Sequence, residues 1–283
     1  MSYLGNEIKK LGFGLMRLPM NGNEIDIEQT KAMVDEFMSK GFTYFDTAYV
    51  YGEDGASEKA AKAAVVDRYP REAFRLASKL PIWCCNEKED MQKVFDTSLE
   101  RTGAGYFDFY LQHALDKEKV KKLDKFGAWD FVAGLKEKGL VKHMGFSFHD
   151  SADVLDEILT AHPEQEFVQL QINYNDWESD SVQARKCYEV ARKHGKPIII
   201  MEPVRGGSLA VLTPEIQELF RSVHPDKSIA SWAIRYAASL EGVITVLSGM
   251  SDFDQMRDNL ESTAEAVVLT DEEKATIENR TPK

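Results

Sequence analysis

Four side chains in the first half of this sequence are of the types that move a proton onto an oxygen: Asp46, Tyr51, Lys79 and His113. Asp46 ends the apolar run Phe42–Asp46, and Tyr51 follows five residues later beside Gly52. Lys79 ends Leu76-Ala-Ser-Lys79, and His113 ends Phe109-Tyr-Leu-Gln-His113. A phenol with an ordinary pKa of about 10 is a poor proton donor at neutral pH, and a neighbouring ammonium is expected to lower that value. A carboxylate beside the ammonium would hold it charged and placed. An imidazole would donate a hydrogen bond to a substrate oxygen. Together the four suit a site that protonates an oxygen as it gains negative charge. Reduction of a carbonyl by hydride transfer generates such an oxygen.

The elements that would position these groups are legible as a repeat. Lys40-Gly41, Lys138-Gly139 and His194-Gly195 each precede a β-rich run. Helices favour cations in their last turn, where the macrodipole is negative, and glycine just beyond, where φ turns positive. Each such junction reads as a helix stopping and feeding a strand. Short apolar runs predict strands at Phe42–Asp46, Phe74–Ser78, Phe107–Gln112, Lys142–Phe146, Phe167–Gln171, Pro197–Met201 and Gly242–Leu247. An N-terminal strand over Leu11–Pro19 makes eight. Amphipathic stretches lie between them, the clearest from Ser228 to Leu240, with another around Met91, Val94, Phe95 and Leu99. Ser251-x-x-Asp254 and Thr270-x-x-Glu273 resemble helix starts, the second in capping-box form.

Strands this short alternating with helices imply a parallel sheet. A closed (β/α)8 TIM barrel and an open doubly wound sheet both fit. No G-x-G-x-x-G follows an early strand, which counts against the open nucleotide-binding version. In a barrel the active site collects side chains from the C-terminal ends of several strands, and the four candidate residues sit at such ends. The expected fold is α/β, a single (β/α)8 barrel over residues 1–283, with the N-terminal strand and a C-terminal helix.

At 283 residues, 43% hydrophobic and 29% charged, the chain suits one barrel of ordinary globular composition. Its net charge of −12 argues against nucleic-acid and anionic-membrane partners, though not against an anionic cofactor in a cleft with its own local charges. No run approaches the roughly 20 apolar residues that span a bilayer, and the first residues lack an apolar signal core, so a cytoplasmic location is expected. Three cysteines, Cys84, Cys85 and Cys187, make neither a disulfide framework nor a metal spacing.

Leu11-Gly-Phe-Gly14, Phe45-Asp-Thr-Ala-x-x-Tyr-Gly52, Ser78-Lys79, Leu111-Gln-His113, Gly139-x-Val-Lys-x-x-Gly-x-Ser147 and Gln171 resemble the aldo-keto reductase family over nearly the whole chain. The resemblance implies a barrel that binds a nicotinamide cofactor across its top without a Rossmann fold. Asp46, Tyr51, Lys79 and His113 match the family's catalytic tetrad. Tyr51 would be general acid in carbonyl reduction and base in alcohol oxidation, Lys79 paired with Asp46 would tune it, and His113 would orient the carbonyl. The same resemblance implies cofactor contacts at Gly14, Leu15, Met16 and Asp46, and carboxamide contacts at Ser147 and Gln171. Met201 stands where many members stack a tyrosine on the nicotinamide. Pro203 and Arg205 would lie near the pyrophosphate, and Ser248, Gly249, Met250, Gln255 and Asn259 near the adenosine. Many members carry Lys and Arg where this chain has Gly249 and Gln255. Family habit implies NADPH, with NADH possible.

Gly-Phe-Ser-Phe-His-Asp150 and Leu-Ser-Gly-Met250 resemble a bacterial branch whose chains often continue into a ferredoxin-like tail. The sequence has no cysteine after Cys187, so no iron–sulfur cluster is expected of these residues. Pro81, Trp83 and Trp177 are the candidate walls of the substrate pocket, which would take a small carbonyl or alcohol. No metal is expected. The leading expectation is an NAD(P)H-dependent carbonyl reductase or alcohol dehydrogenase. The alternatives are a cofactor-binding regulatory or interaction module, a role some barrels of this kind play as potassium-channel β subunits, and a lyase using Lys79 as a Schiff-base nucleophile.

Overall fold

A computed structural model describes residues 4–279. Eight parallel strands close into a barrel: β1 (Leu11–Gly14), β2 (Tyr44–Asp46), β3 (Arg75–Leu80), β4 (Phe107–Leu115), β5 (Val141–Phe148), β6 (Phe167–Gln171), β7 (Ile198–Met201) and β8 (Val243–Gly249). Each pairs with its sequence neighbours, and β1 closes the ring by pairing with both β2 and β8. Helices on the outside return the chain: α1 (Ile27–Ser39), α2 (Ala56–Ala61), α3 (Asp90–Thr102), α4 (Lys117–Phe126), α5 (Ala128–Glu137), α6 (Ala152–Ala161), α7 (Ala184–Lys193), α8 (Pro214–Val223), α9 (Ile229–Ser239), α10 (Phe253–Ser262) and α11 (Asp271–Asn279). The (β/α)8 barrel is the observed fold.

The helix-to-strand junctions explain the repeat. Gly41, Gly139 and Gly195 all adopt positive φ, at 80°, 73° and 66°. That left-handed backbone is strained for any residue carrying a Cβ and free for glycine, so glycine ends the helix and the strand begins. The capping box forms as read: Thr270 N–H donates to Glu273 Oε2 at 2.8 Å, and Glu273 N–H donates to Thr270 Oγ1 at 3.1 Å. Two expectations shift. The extended N-terminal strand stops at Gly14, because a 3-10 turn over Leu15–Arg17 follows and Leu15 O accepts from the buried Ser57 hydroxyl at 2.9 Å. The cap of α10 is Asp252 instead of Ser251: Asp252 Oδ1 accepts from Gln255 N–H at 2.8 Å, while Ser251 Oγ donates to Arg17 O at 2.9 Å.

Strand alternation sorts side chains between two cores. Outward residues such as Phe13, Phe45, Leu76 and Val246 pack against the helices, and inward residues Tyr44, Ala77, Phe109, Leu111, Phe167, Ile199, Ile244 and Leu247 fill the barrel. Asp46, Lys79 and His113 lie two residues beyond Tyr44, Ala77 and Leu111, so they share the inward face one layer higher, at the C-terminal rim. The filled interior is the floor on which the site stands.

Gly145 shows how tightly β5 and β6 approach. A Cβ there would lie 2.4 Å from Phe167 O, a backbone atom opposite it in register. Gly145→Ala is therefore expected to destabilise the barrel by about 1–3 kcal/mol, the usual cost of overpacking a tight contact. Urea unfolding measures it; an unchanged midpoint and slope would contradict the geometry.

Candidate active site

The ends of β2 and β3 bring the charged pair together. Lys79 Nζ donates to Asp46 Oδ1 at 2.7 Å and to Thr47 O at 2.8 Å, and lies 3.3 Å from Tyr51 Oη. Asp46 and Lys79 are both buried, at 3% and 0% exposure, so the pair is held away from water. Burial disfavours the ammonium, but Asp46 and Tyr51 outweigh it and raise the Lys79 pKa. Tyr51 reaches this pair from the loop after β2, where its N–H bonds Ala48 O at 3.0 Å. Its ring stands edge-on to His113, with centroids 5.8 Å apart.

The expected fall in the Tyr51 pKa is not what the site produces. Burial raises it, outweighing the opposite pull of Lys79. The phenol is thus fully protonated at neutral pH, and Lys79 stands where it stabilises any charge that develops on the oxygen. His113 is also buried, and burial together with the Lys79 charge brings its pKa down to about 2. Its imidazole is neutral, and its Nδ1 has no hydrogen-bond partner.

That shift carries a stability consequence. Between pH 6.5 and about 2 the unfolded chain takes a proton on His113 that the folded chain refuses. Stability therefore rises with pH across this window and is lost as pH falls below 6.5, by about 1.4 kcal/mol per unit from this one group. From pH 6.5 to 5 that is about 2 kcal/mol. His113→Asn should remove this slope; parallel acid-dependent unfolding of variant and wild type would refute the assignment.

From this cluster a groove of about 640 Å³ runs across the rim past Gly14, Met16, Met201, Pro203, Ser248 and Gly249 to Gln255 and Asn259. Those eight of the expected cofactor contacts line it, as do Asp46 and the catalytic candidates Tyr51 and His113. The others lie elsewhere. Leu15 and Met250 are buried in the outer core. Ser147 is buried, and its hydroxyl accepts from Ala114 N–H at 2.7 Å. Gln171 lines a separate cleft of about 200 Å³, and its amide donates to Asp176 at 3.0 Å. Arg205 pairs with the same Asp176 at 3.2 Å, which ties the loop after β7 to the loop after β6. Arg257 is held by Glu36 at 2.8 Å.

Of the expected substrate walls, Trp83 is exposed with its ring 5.1 Å from that of His113. Pro81 is buried beneath the turn that carries Trp83. Trp177 packs between Tyr188 and Tyr236, with centroids 5.5 and 5.9 Å away, because aromatic faces from α7 and α9 enclose it.

Three of the groove residues that were not anticipated carry polar groups of note. Gln169 sits two residues before Gln171 on the same strand face; its amide lies 3.4 Å from Met201 Sδ, and its buried Oε1 has no partner. The period-2 pattern offered both glutamines. His149 lines both the groove and the smaller cleft. Partial withdrawal from solvent, then Lys119, lower its pKa. Arg17 lies three residues past β1, and it is the sole Lys or Arg among the groove-lining residues. Its proximity to the end of β8 depends on barrel closure and left no local signal.

A model of the Aldo/keto reductase family matches residues 10–280. A soybean protein described as "Probable aldo-keto reductase 1" is 30% identical over 217 residues, covering 72% of this chain; the match spans 58% of that protein's length. Among solved structures, the holo form of aldo-keto reductase AKR11C1 from Bacillus halodurans superposes with a TM-score of 0.76 at 23% identity, covering 99% of this chain and 96% of that one. An aldo-keto reductase from Klebsiella pneumoniae, solved in complex with NADPH, gives 0.71 at 21% identity, covering 96% and 90%.

Proposed function

Because the chain belongs to the aldo/keto reductase family, whose members are NAD(P)H-dependent oxidoreductases, we propose that it reduces an aldehyde or ketone to an alcohol, or runs the reverse, with Tyr51 as general acid and base. The observation that carries this reading is the Tyr51 hydroxyl 3.3 Å from a buried, carboxylate-paired Lys79 at one end of a long groove.

The residues present fit a nicotinamide dinucleotide. The unpartnered Gln169 Oε1 is an acceptor awaiting a donor such as a carboxamide NH₂. Met201, beside it, would pack against the ring. Arg17 would meet the phosphates, and Asn259 the adenosine. When bound, the reduced cofactor supplies the hydride.

The chain's own groups handle the oxygen. His113, neutral, would hydrogen-bond the carbonyl and set its orientation beside the exposed face of Trp83. As negative charge develops there, Tyr51 gives up its proton, and Lys79 stabilises the resulting phenolate by charge and hydrogen bond. Asp46 and Thr47 O keep Lys79 cationic and fixed. The same arrangement speaks against a Schiff-base role, which requires a neutral amine.

The test is titration with NADPH and with NADH, followed by tryptophan fluorescence, then a panel of aldehydes, ketones and dicarbonyls followed at the nicotinamide absorbance. Binding with turnover of at least one carbonyl supports the reading. Absence of binding by either nucleotide would overturn it, and tight binding without turnover would favour the regulatory alternative.

A further inference from the structure

The groove has a cation, Arg17, at its middle, with the Glu202 carboxylate also lining it there, and no cation among the lining residues of its far end. Arg17 lies against Gly249: a Cβ on that glycine would be 3.1 Å from the Arg17 Cβ and Cδ. The guanidinium then reaches toward the loop after β7, where Nη2 would be 3.6 Å from a Cβ on Gly206. No hydrogen bond or ion pair engages the Arg17 guanidinium among the described residues. The guanidinium therefore stands at the centre of the groove, near the Glu202 carboxylate, which lies 3.8 Å from the same Gly206 Cβ position.

Beyond it, the walls are Ser251, Gln255, Asp258 and Asn259. Their donors and charges are already committed. Gln255 Oε1 accepts from Ser251 N–H at 3.0 Å, and Gln255 Nε2 donates to Asp252 Oδ2 at 3.0 Å. Asp252 also takes the Gln255 N–H, so two backbone donors at the start of α10 face protein oxygens. Asn259 Nδ2 donates to Ser248 Oγ at 2.9 Å. Asp258, whose carboxylate accepts from Ser228 Oγ at 2.6 Å, adds negative charge to the wall. Arg257, one residue away, is turned outward to Glu36.

With the reacting end of the cofactor at Tyr51, the adenosine ribose lies at this far end. NADPH differs from NADH there by one phosphomonoester, a further charge of about −1.5 to −2 at neutral pH. A phosphate brought from water needs cations or free donors to replace its hydration. Among its lining residues this end has no cation and no side-chain donor left free, and it presents a carboxylate. We propose that the groove draws no affinity from a 2′-phosphate and that NADH is bound at least as tightly as NADPH, with Gln255 and Asp258 setting that outcome. The proposal rests on the reductase reading above and names which nucleotide form the same site favours.

Calorimetric titration of the wild-type chain with each nucleotide separates the two claims. A dissociation constant for NADH equal to or below that for NADPH supports the inference. NADPH binding measurably tighter than NADH overturns it while leaving the reductase reading intact. Binding of neither overturns both. Gln255→Arg, checked for an unchanged fold by circular dichroism, should shift the affinity ratio toward NADPH by tenfold or more. An unshifted ratio in the folded variant would also overturn the inference, since the far end would then not hold the ribose.

Discussion

Tyr51→Phe is expected to lower kcat for carbonyl reduction by about 10²–10⁴-fold, the usual worth of a positioned general acid, while nucleotide affinity stays within about twofold. The substitution removes one oxygen. The ring keeps its edge-on contact with His113, and Lys79 keeps Asp46 and Thr47 O as partners, so the loop has no reason to move. What disappears is the hydroxyl that lies 3.3 Å from the Lys79 ammonium. Because burial raises the Tyr51 pKa, the wild-type phenol is protonated throughout the neutral range, and reduction should be insensitive to pH there. Steady-state kinetics beside a fluorescence titration decides it. A variant keeping more than a tenth of wild-type kcat would remove Tyr51 from the proton transfer.

Lys79→Met should cost both turnover and stability, and the two losses can be separated. Loss of one preorganised charge at a developing oxyanion typically lowers kcat by about 10²–10³-fold. Deleting one partner of a buried ion pair also strands the other, here Asp46 at 3% exposure, at a cost of about 3–5 kcal/mol. Adding Asp46→Asn removes the stranded charge. The double variant is then expected to regain most of the lost stability, because an uncharged buried pair no longer carries the desolvation penalty. It should regain none of the turnover. Urea unfolding and kinetics on the wild type, both single variants and the double variant complete the cycle. A double variant that reduces carbonyls at the wild-type rate would show the pair to be structural only.

The charged pair illustrates which parts of this molecule were readable from residues alone. Asp46, Lys79 and His113 each end an apolar strand, and alternation along a strand forces residues two apart onto one face. Once the inward positions below them are filled by Tyr44, Ala77 and Leu111, the next inward positions must reach the rim. Gly41, Gly139 and Gly195 mark where helices stop, because positive φ is a local demand that a single residue type meets cheaply. Both are short-range rules; repeating them gives alternating strands and helices, and the closure of the sheet through β1 is what makes it a barrel.

Choices among near-equal partners were not readable this way. Gln169 and Gln171 share a strand face; the acceptor at Asp176 takes one and leaves the other in the groove. Arg205 looked like a phosphate ligand and is claimed by that same carboxylate, while Arg17, unremarkable in sequence, is carried to the groove when β1 closes against β8. Trp177 resembled a pocket wall until helices α7 and α9 enclosed it. Periodicity and backbone angles within a few residues were enough to read the alternation of strands and helices, most helix ends, and Asp46, Lys79 and His113 as residues of one barrel end. Which donors and charges remain free to meet a ligand was settled on folding, because it depends on which partners reach them first: Asp176 for Gln171 and Arg205, Glu36 for Arg257.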